Sequence, residues 1–172
     1  MMKKILIVNN NLDTGGIQRS LINFLKAVHT QYDITLLLFS KSGTLLGDVP
    51  NNVKIITPSY RYRMLGLSKN ELKAYPWLFL FKGFLMSYTK LFSRRSAMKV
   101  LGLFQKKLCG FDTVISYTHL SDHKYFWNGS GDFVLDKVVS PNKICIIHCD
   151  YPNSGCMTDR NNREYEEFDK IA

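Results

Sequence analysis

Acidic side chains are nearly missing from one long stretch of this chain. Between residues 60 and 107, Glu71 alone faces Arg61, Arg63, Lys69, Lys73, Lys82, Lys90, Arg94, Arg95, Lys99, Lys106 and Lys107. That block carries +10 while the whole chain carries +9, so everything outside it sums to −1. Long apolar runs are missing too. The closest, Trp77 to Met86, is broken by Lys82, and spanning a bilayer takes roughly eighteen such residues. The opening stretch has four consecutive apolar residues before Asn9, too few for the core of a secretory signal. Cys109, Cys145, Cys149 and Cys156 are therefore expected as free thiols in a reducing compartment, and the chain as cytoplasmic. No repeat or low-complexity tract interrupts the 172 residues, which fit one domain of ordinary size.

Two phosphate-binding signatures are also missing. Gly15-Gly16 is followed by neither Gly nor Ala three residues on, and no Gly-Lys-Ser/Thr closes the loop. A dinucleotide fingerprint and a P-loop are thereby excluded. Zinc fares no better: Cys145, His148, Cys149 and Cys156 contain no C-x2-C pair. Strand alternation would also send Cys145 and His148 to opposite faces.

What is present is a strand, a glycine turn and a helix. Lys3 to Val8 is a short apolar run with β-branched residues, closed by three asparagines, which is how a buried parallel strand reads. After Asp13-Thr14-Gly15-Gly16, the residues Ile17, Leu21, Phe24, Leu25 and Val28 recur at helical spacing. Such a junction leaves bare backbone amides at a helix N-terminus, where anions are held; a plain turn into a helix is the other reading. Asp33–Phe39 and Val53–Ile56 predict two more strands, Phe111–Ser116 a fourth and Lys143–Ile147 a fifth. The expected fold is an α/β, Rossmann-like three-layer αβα domain with a mostly parallel sheet.

Residues 60–108 read as a basic aromatic helical insertion within that domain. Helix is predicted from Ser68 to Phe92, with Pro76 either kinking it or opening a second helix. A further helix is predicted from Ser96 to Leu108, closed by Cys109-Gly110. Shorter helices are predicted for Asp132–Val139 and Asn161–Phe168. Asp169–Ala172 reads as a strand entering the sheet with no partner left, so the chain is expected to be the N-terminal piece of a longer protein or an oddly truncated product.

Gly15-Gly16-Ile17-Gln18-Arg19-Ser20-Leu21-Ile22-Asn23-Phe24-Leu25 resembles the G-G-A-E-R/K-x-L-x-N-L-L segment of family-4 retaining glycosyltransferases of the two-domain GT-B architecture. Lys143 to Tyr151 resembles their K-I-A-W-I-H-x-D-Y segment, and Phe168-Asp169-Lys170-Ile171 the start of F-D-K-I-V-C-V-S. Gln18 stands where that family usually has an acid. The resemblance implies an acceptor-side N-terminal half without the C-terminal nucleotide-sugar domain, inactive alone. It implies a UDP- or GDP-linked sugar donor, no cofactor, and a glycan or lipid-linked acceptor in surface polysaccharide or glycolipid assembly. By the same resemblance Gly15, Gly16 and Arg19 approach the donor's phosphates or sugar. His148, ending a strand at the cleft, acts on a sugar hydroxyl, while His119 and Asp150 line the acceptor side. A backbone-bonded histidine, a solvated turn aspartate and an ordinary solvated arginine remain the plain alternatives.

The basic aromatic block admits a solvated helix face, nucleic-acid binding or a membrane surface. Lys and Arg gain about 1 kcal/mol each near anionic headgroups, and the transferase resemblance favours lipid. The expected membrane-facing residues are Arg61, Arg63, Trp77, Phe81, Lys82, Arg94 and Arg95, on the inner face of the cytoplasmic membrane and without nucleic acid. A non-catalytic basic Rossmann-like module binding membrane or a protein partner is the alternative.

Overall fold

Alternation settles the strands. In Lys4–Asn9 (β1), Ile5 and Ile7 point to one face of the sheet while Leu6 and Val8 point to the other, and all four are buried. Burial on both faces is the mark of a central parallel strand. The computed structural model describes residues 2–172. Gly16–Val28 (α1) follows, then Asp33–Leu38 (β2) and Lys54–Ile56 (β3). Arg63–Gly66 (α2), Lys69–Lys73 (α3), Pro76–Leu91 (α4) and Arg94–Leu101 (α5) make the insertion. Thr113–Ser116 (β4), Ser130–Lys137 (α6), Lys143–Cys145 (β5), Asp159–Tyr165 (α7) and Lys170–Ile171 (β6) complete the described chain.

The six strands are all parallel, in the order β3-β2-β1-β4-β5-β6. The domain is thus α/β and Rossmann-like. Right-handed crossovers put helices on opposite faces once the direction of travel reverses, and here it reverses between β1 and β4. On one face Leu21, Ile22 and Leu25 of α1 pack on Ile5, Ile7, Ile34 and Leu36. On the other, residues of α2 to α6 such as Met64, Leu72, Leu85, Met98 and Phe133 pack on Leu6, Val8, Leu37 and Val114.

Local chemistry explains most helix ends. Ser68 and Glu71 form a reciprocal capping box at α3. Pro76 takes the first turn of α4, where its missing N–H costs nothing, so it opens a separate helix. Three expectations need correcting. α5 runs from Arg94 to Leu101 instead of from Ser96 to Leu108, and ends at Gly102, where a Cβ would sit 2.4 Å from the Lys137 side chain and 2.6 Å from the Tyr62 hydroxyl. The chain then leaves to form a parallel bridge between Leu108 and Val138, so Cys109-Gly110 caps no helix. The helix expected at Asn161–Phe168 starts earlier, since the Thr158 hydroxyl accepts from the Asn161 amide at 3.1 Å. Finally, the closing strand has a partner: Ile144 and Cys145 of β5 register with Lys170 and Ile171 of β6.

Candidate functional site

Strand order reverses between β1 and β4, and in open α/β sheets ligands usually sit at the carboxyl ends of the strands at such a point. Three segments meet there: the loop from β1 into α1, and the two stretches leaving β4 and β5.

The first segment is held rigidly from behind. Asn11 donates to the Gly66 carbonyl at 2.6 Å, and Asn10 accepts from the Ser130 hydroxyl at 3.2 Å. A Cβ at Gly43 would overlap the Leu12 backbone at 2.1 Å, so this glycine, at φ +116°, lets the second loop lie against the first. Gly15, extended at φ −179°, precedes α1 with no side-chain cap, and no acid stands in the first turn. The leading amides of α1 therefore lack a side-chain acceptor. A Cβ on Gly16 would meet nothing within 4 Å. Space is open at Gly16 but not at Gly15, where a Cβ would lie 2.4 Å from the Gln18 amide oxygen; Arg19 is exposed on the same helix.

Tyr117, directly after β4, joins the other two segments to α1. Its hydroxyl lies 3.1 Å from the Ser20 hydroxyl, one turn into α1. Its ring packs at 5.9 Å on Phe24 and at 4.9 Å on His148. The Nε2 of His148 is buried without a hydrogen-bond partner, as are Nδ1 of His119 and Oδ1 of Asn9. Such orphaned atoms are uncommon in folded proteins. Burial pushes the His148 pKa below its ordinary value, with the Tyr117 backbone pulling slightly the other way. Burial, then the nearby His148, pushes the His119 pKa down as well. Both rings are neutral at pH 7, each with one donor and one acceptor nitrogen.

His119 is fixed by the loop after β4. The carbonyl of His119 accepts from the Asn128 amide at 2.7 Å, and Asn128 also accepts from Thr118 at 2.8 Å. Asn128 takes φ +57°, a left-handed conformation that asparagine tolerates better than most side chains. His119 borders a cavity of about 640 Å³ together with Asp122, Tyr125 and Trp127. Asp150 is exposed and accepts from Asn153 at 2.6 Å. Sequence reasoning missed Tyr117, Ser20 and Asn128. An Asn-Gly pair at 128–129 was the one visible signal, because it marks a positive-φ turn.

The residues expected at a membrane surface divide. Trp77 is 76 % exposed. Phe81 is half-buried and stacks on Phe84. Arg61 lies over the rings of Phe104 at 4.6 Å and Phe81 at 5.7 Å, and Arg63 over Tyr75 at 4.7 Å. Lys82 donates to the Met64 carbonyl at 2.9 Å. Arg94 does not reach a surface at all. It is wholly buried, ion-paired with Asp132 at 3.0 Å and with Glu164, and donates to the Ser121 carbonyl and Asn161. Arg95 beside it pairs with Glu167 and Asp136. Removing both arginines from the count leaves nine basic residues and Glu71 in the block.

No family model, no curated protein and no solved structure matches this chain. Among the described residues, no helix is long and apolar enough to cross a membrane, and no three His, Cys, Asp or Glu side chains are grouped to hold a metal ion.

Proposed function

We propose that this domain is the acceptor-side half of a nucleotide-sugar-dependent retaining glycosyltransferase, moving a sugar from a UDP- or GDP-linked donor to a glycan or lipid-linked acceptor. One observation carries the reading. An uncapped, glycine-led helix end and a histidine with an unpartnered buried nitrogen are joined through Tyr117 at the sheet's switch point. Free amides and the helix dipole suit the negative charge that grows on a departing diphosphate. A neutral imidazole suits a sugar hydroxyl that must be oriented or relieved of a proton. Gly16 keeps the corner clear, and Arg19 adds a positive charge on the same helix. Retention of configuration rests on the resemblance of residues 15–25 and 143–151 to the family. The reading calls for a second lobe holding most of the sugar nucleotide, so these 172 residues are expected to be inactive by themselves.

The test is a screen of labelled UDP- and GDP-sugars with the full reading frame, comparing wild type with His148→Ala and Gly16→Val. Turnover is expected to fall at least a hundredfold in each variant, a loss of about 2.7 kcal/mol of transition-state stabilisation. Unchanged turnover in both variants removes the assigned roles. No transfer from any donor favours the non-catalytic module instead.

We infer further that the face of α4 meets an anionic membrane. Among the described residues, ten of the sixteen large exposed hydrophobics lie between Tyr60 and Phe104, including Trp77, Leu80, Phe84, Leu91 and Phe92. Uncovered apolar surface of that kind marks an interaction site, and the surrounding lysines fit anionic headgroups. Co-sedimentation with vesicles containing or lacking anionic lipid checks this; equal, negligible binding to both ends it.

A further inference from the structure

Two loops that leave neighbouring strands enclose a pocket with no acid in its wall. They follow β2 and β3, which run side by side with Leu37 and Ile56 in register, and the cavity between them holds about 350 Å³. Ser40 and Lys41 come from the first loop; Thr57, Ser59, Tyr60 and Arg63 come from the second. Among the described residues, neither Lys41 nor Arg63 forms an ion pair. Arg63 lies over the Tyr75 ring at 4.7 Å, and a guanidinium so placed still carries five N–H donors. Glu71 feels the charge of Arg63, but its carboxylate is engaged by the Ser68 amide at 2.8 Å.

The hydroxyls of the pocket are also short of acceptors. Ser40 is 2 % exposed and accepts from the Ser42 hydroxyl at 2.9 Å, which leaves its own O–H to donate. The Ser59 amide donates to Gln105 at 2.7 Å, while the Ser59 hydroxyl is buried without any partner. Buried polar groups rarely stay unpaired, and rotation about one bond redirects a hydroxyl. We infer that this pocket binds a soluble phosphomonoester. Lys41 and Arg63 meet the phosphate from the two loops, the Ser40 and Ser59 hydroxyls donate to its oxygens, and the organic part of the ester lies on the exposed ring of Tyr60. Two unshared cations match the nearly two negative charges of a monoester at neutral pH, where a carboxylate or a diester brings only one. The volume suits a small molecule. The site is built on the β2/β3 pair rather than at the β1–β4 junction, and it stands whether or not the transferase reading does.

Titration calorimetry on the full chain tests the assignment, with methyl phosphate, dimethyl phosphate and acetate as probes. Methyl phosphate is expected to bind at least tenfold tighter than the other two. Lys41→Gln and Arg63→Gln are each expected to weaken it at least fivefold with unchanged circular dichroism. Lys41 is exposed, so its variant keeps the test valid even if Arg63→Gln disturbs the packing on Tyr75. Lys3→Gln removes the same charge from an exposed position at the amino end of β1 and is expected to leave the affinity unchanged. Equal affinity for methyl and dimethyl phosphate overturns the assignment, as does an equal loss in Lys3→Gln and Lys41→Gln. Binding to vesicles containing phosphatidic acid without any response to millimolar methyl phosphate overturns it too, because a lipid headgroup is then the guest. No sugar donor enters these measurements, so their failure leaves the transferase reading untouched.

Discussion

Arg94 and Arg61 come from the same basic aromatic block and meet opposite fates. Arg94 is sealed between α5, α6 and α7, with Asp132 and Glu164 folded over it from 38 and 70 residues downstream. Arg61 lies flat on Phe81 and Phe104 at the outer surface, stacked on rings rather than on carboxylates. Composition alone cannot separate the two. A guanidinium stays buried only when acids arrive from distant elements to neutralise it, and both acids here belong to helices whose positions depend on the sheet. The block therefore does two jobs: it bolts the helices beneath the β4 loop together, and it leaves an apolar, positively rimmed face outside.

Removing Arg94 should break this contrast most visibly. Arg94→Met leaves Asp132 buried without its partner and Glu164 with only Arg160 at 3.8 Å, and is expected to cost about 3–5 kcal/mol, read from urea unfolding. Burial already raises the Asp132 and Glu164 pKa values, against the pull of Arg94. A raised carboxylate binds protons in the folded state that the unfolded state has released. Its folded form is thus relatively favoured at low pH and loses that advantage as pH rises toward the folded pKa. In Arg94→Met both pKa values rise further, so the variant's deficit should be smaller at pH 5 than at pH 7. A deficit that grows on acidification would contradict the ion-pair account.

The outer face should answer in the opposite way. Trp77→Glu, Leu80→Glu and Phe84→Glu together remove exposed apolar surface, and each is expected to change stability by no more than about 0.5 kcal/mol. Binding to anionic vesicles should nevertheless fall at least tenfold, about 1.4 kcal/mol. Unfolding of the triple variant, or undiminished vesicle binding, would erase the distinction between the two regions.

The histidines after β4 and β5 give a smaller, purely pH-dependent effect. Both have pKa values depressed below their ordinary 6.5. Their contribution is complete above that value and is lost as pH falls toward the folded pKa, where the unfolded chain takes up protons first. A His119→Gln, His148→Gln protein should therefore lose less stability than wild type between pH 7 and pH 5. Parallel unfolding curves across that range would show that neither ring is held neutral.

Much of this was legible in the sequence. Five of the six strands and α1 followed from β-branched runs and helical spacing, because central parallel strands are buried on both faces and so write themselves as apolar blocks. β6 was also visible, but its pairing with β5 was not, since register across a sheet leaves no local trace. Gly15, Gly16 and His148 could be placed at strand and helix ends from spacing. Tyr117 could be placed at the end of β4 as well, but its contacts could not, since Ser20 and His148 lie 97 and 31 positions away. Arg94 was misjudged for the same reason: its partners are distant, and nothing beside it in the chain distinguishes it from Arg95.

Arg95 itself sits between the two regimes and offers the finest test of the comparison. It is 22 % exposed, and its main partner Glu167 is 45 % exposed. Water and salt reach this pair, so Arg95→Ala is expected to cost only about 0.2–1 kcal/mol, against several for its neighbour. The hydrogen bonds from Arg95 hold the Glu167 pKa below its ordinary value, so the pair's contribution is present above about pH 4.5 and disappears as pH falls through the lowered value. Raising the ionic strength to 1 M shortens the screening length to about 3 Å, and should shrink the Arg95→Ala penalty while leaving that of Arg94→Met nearly unchanged. Equal salt sensitivity in the two variants would mean that water reaches Arg94 as readily as Arg95, and that no sealed ionic core exists beneath the β4 loop.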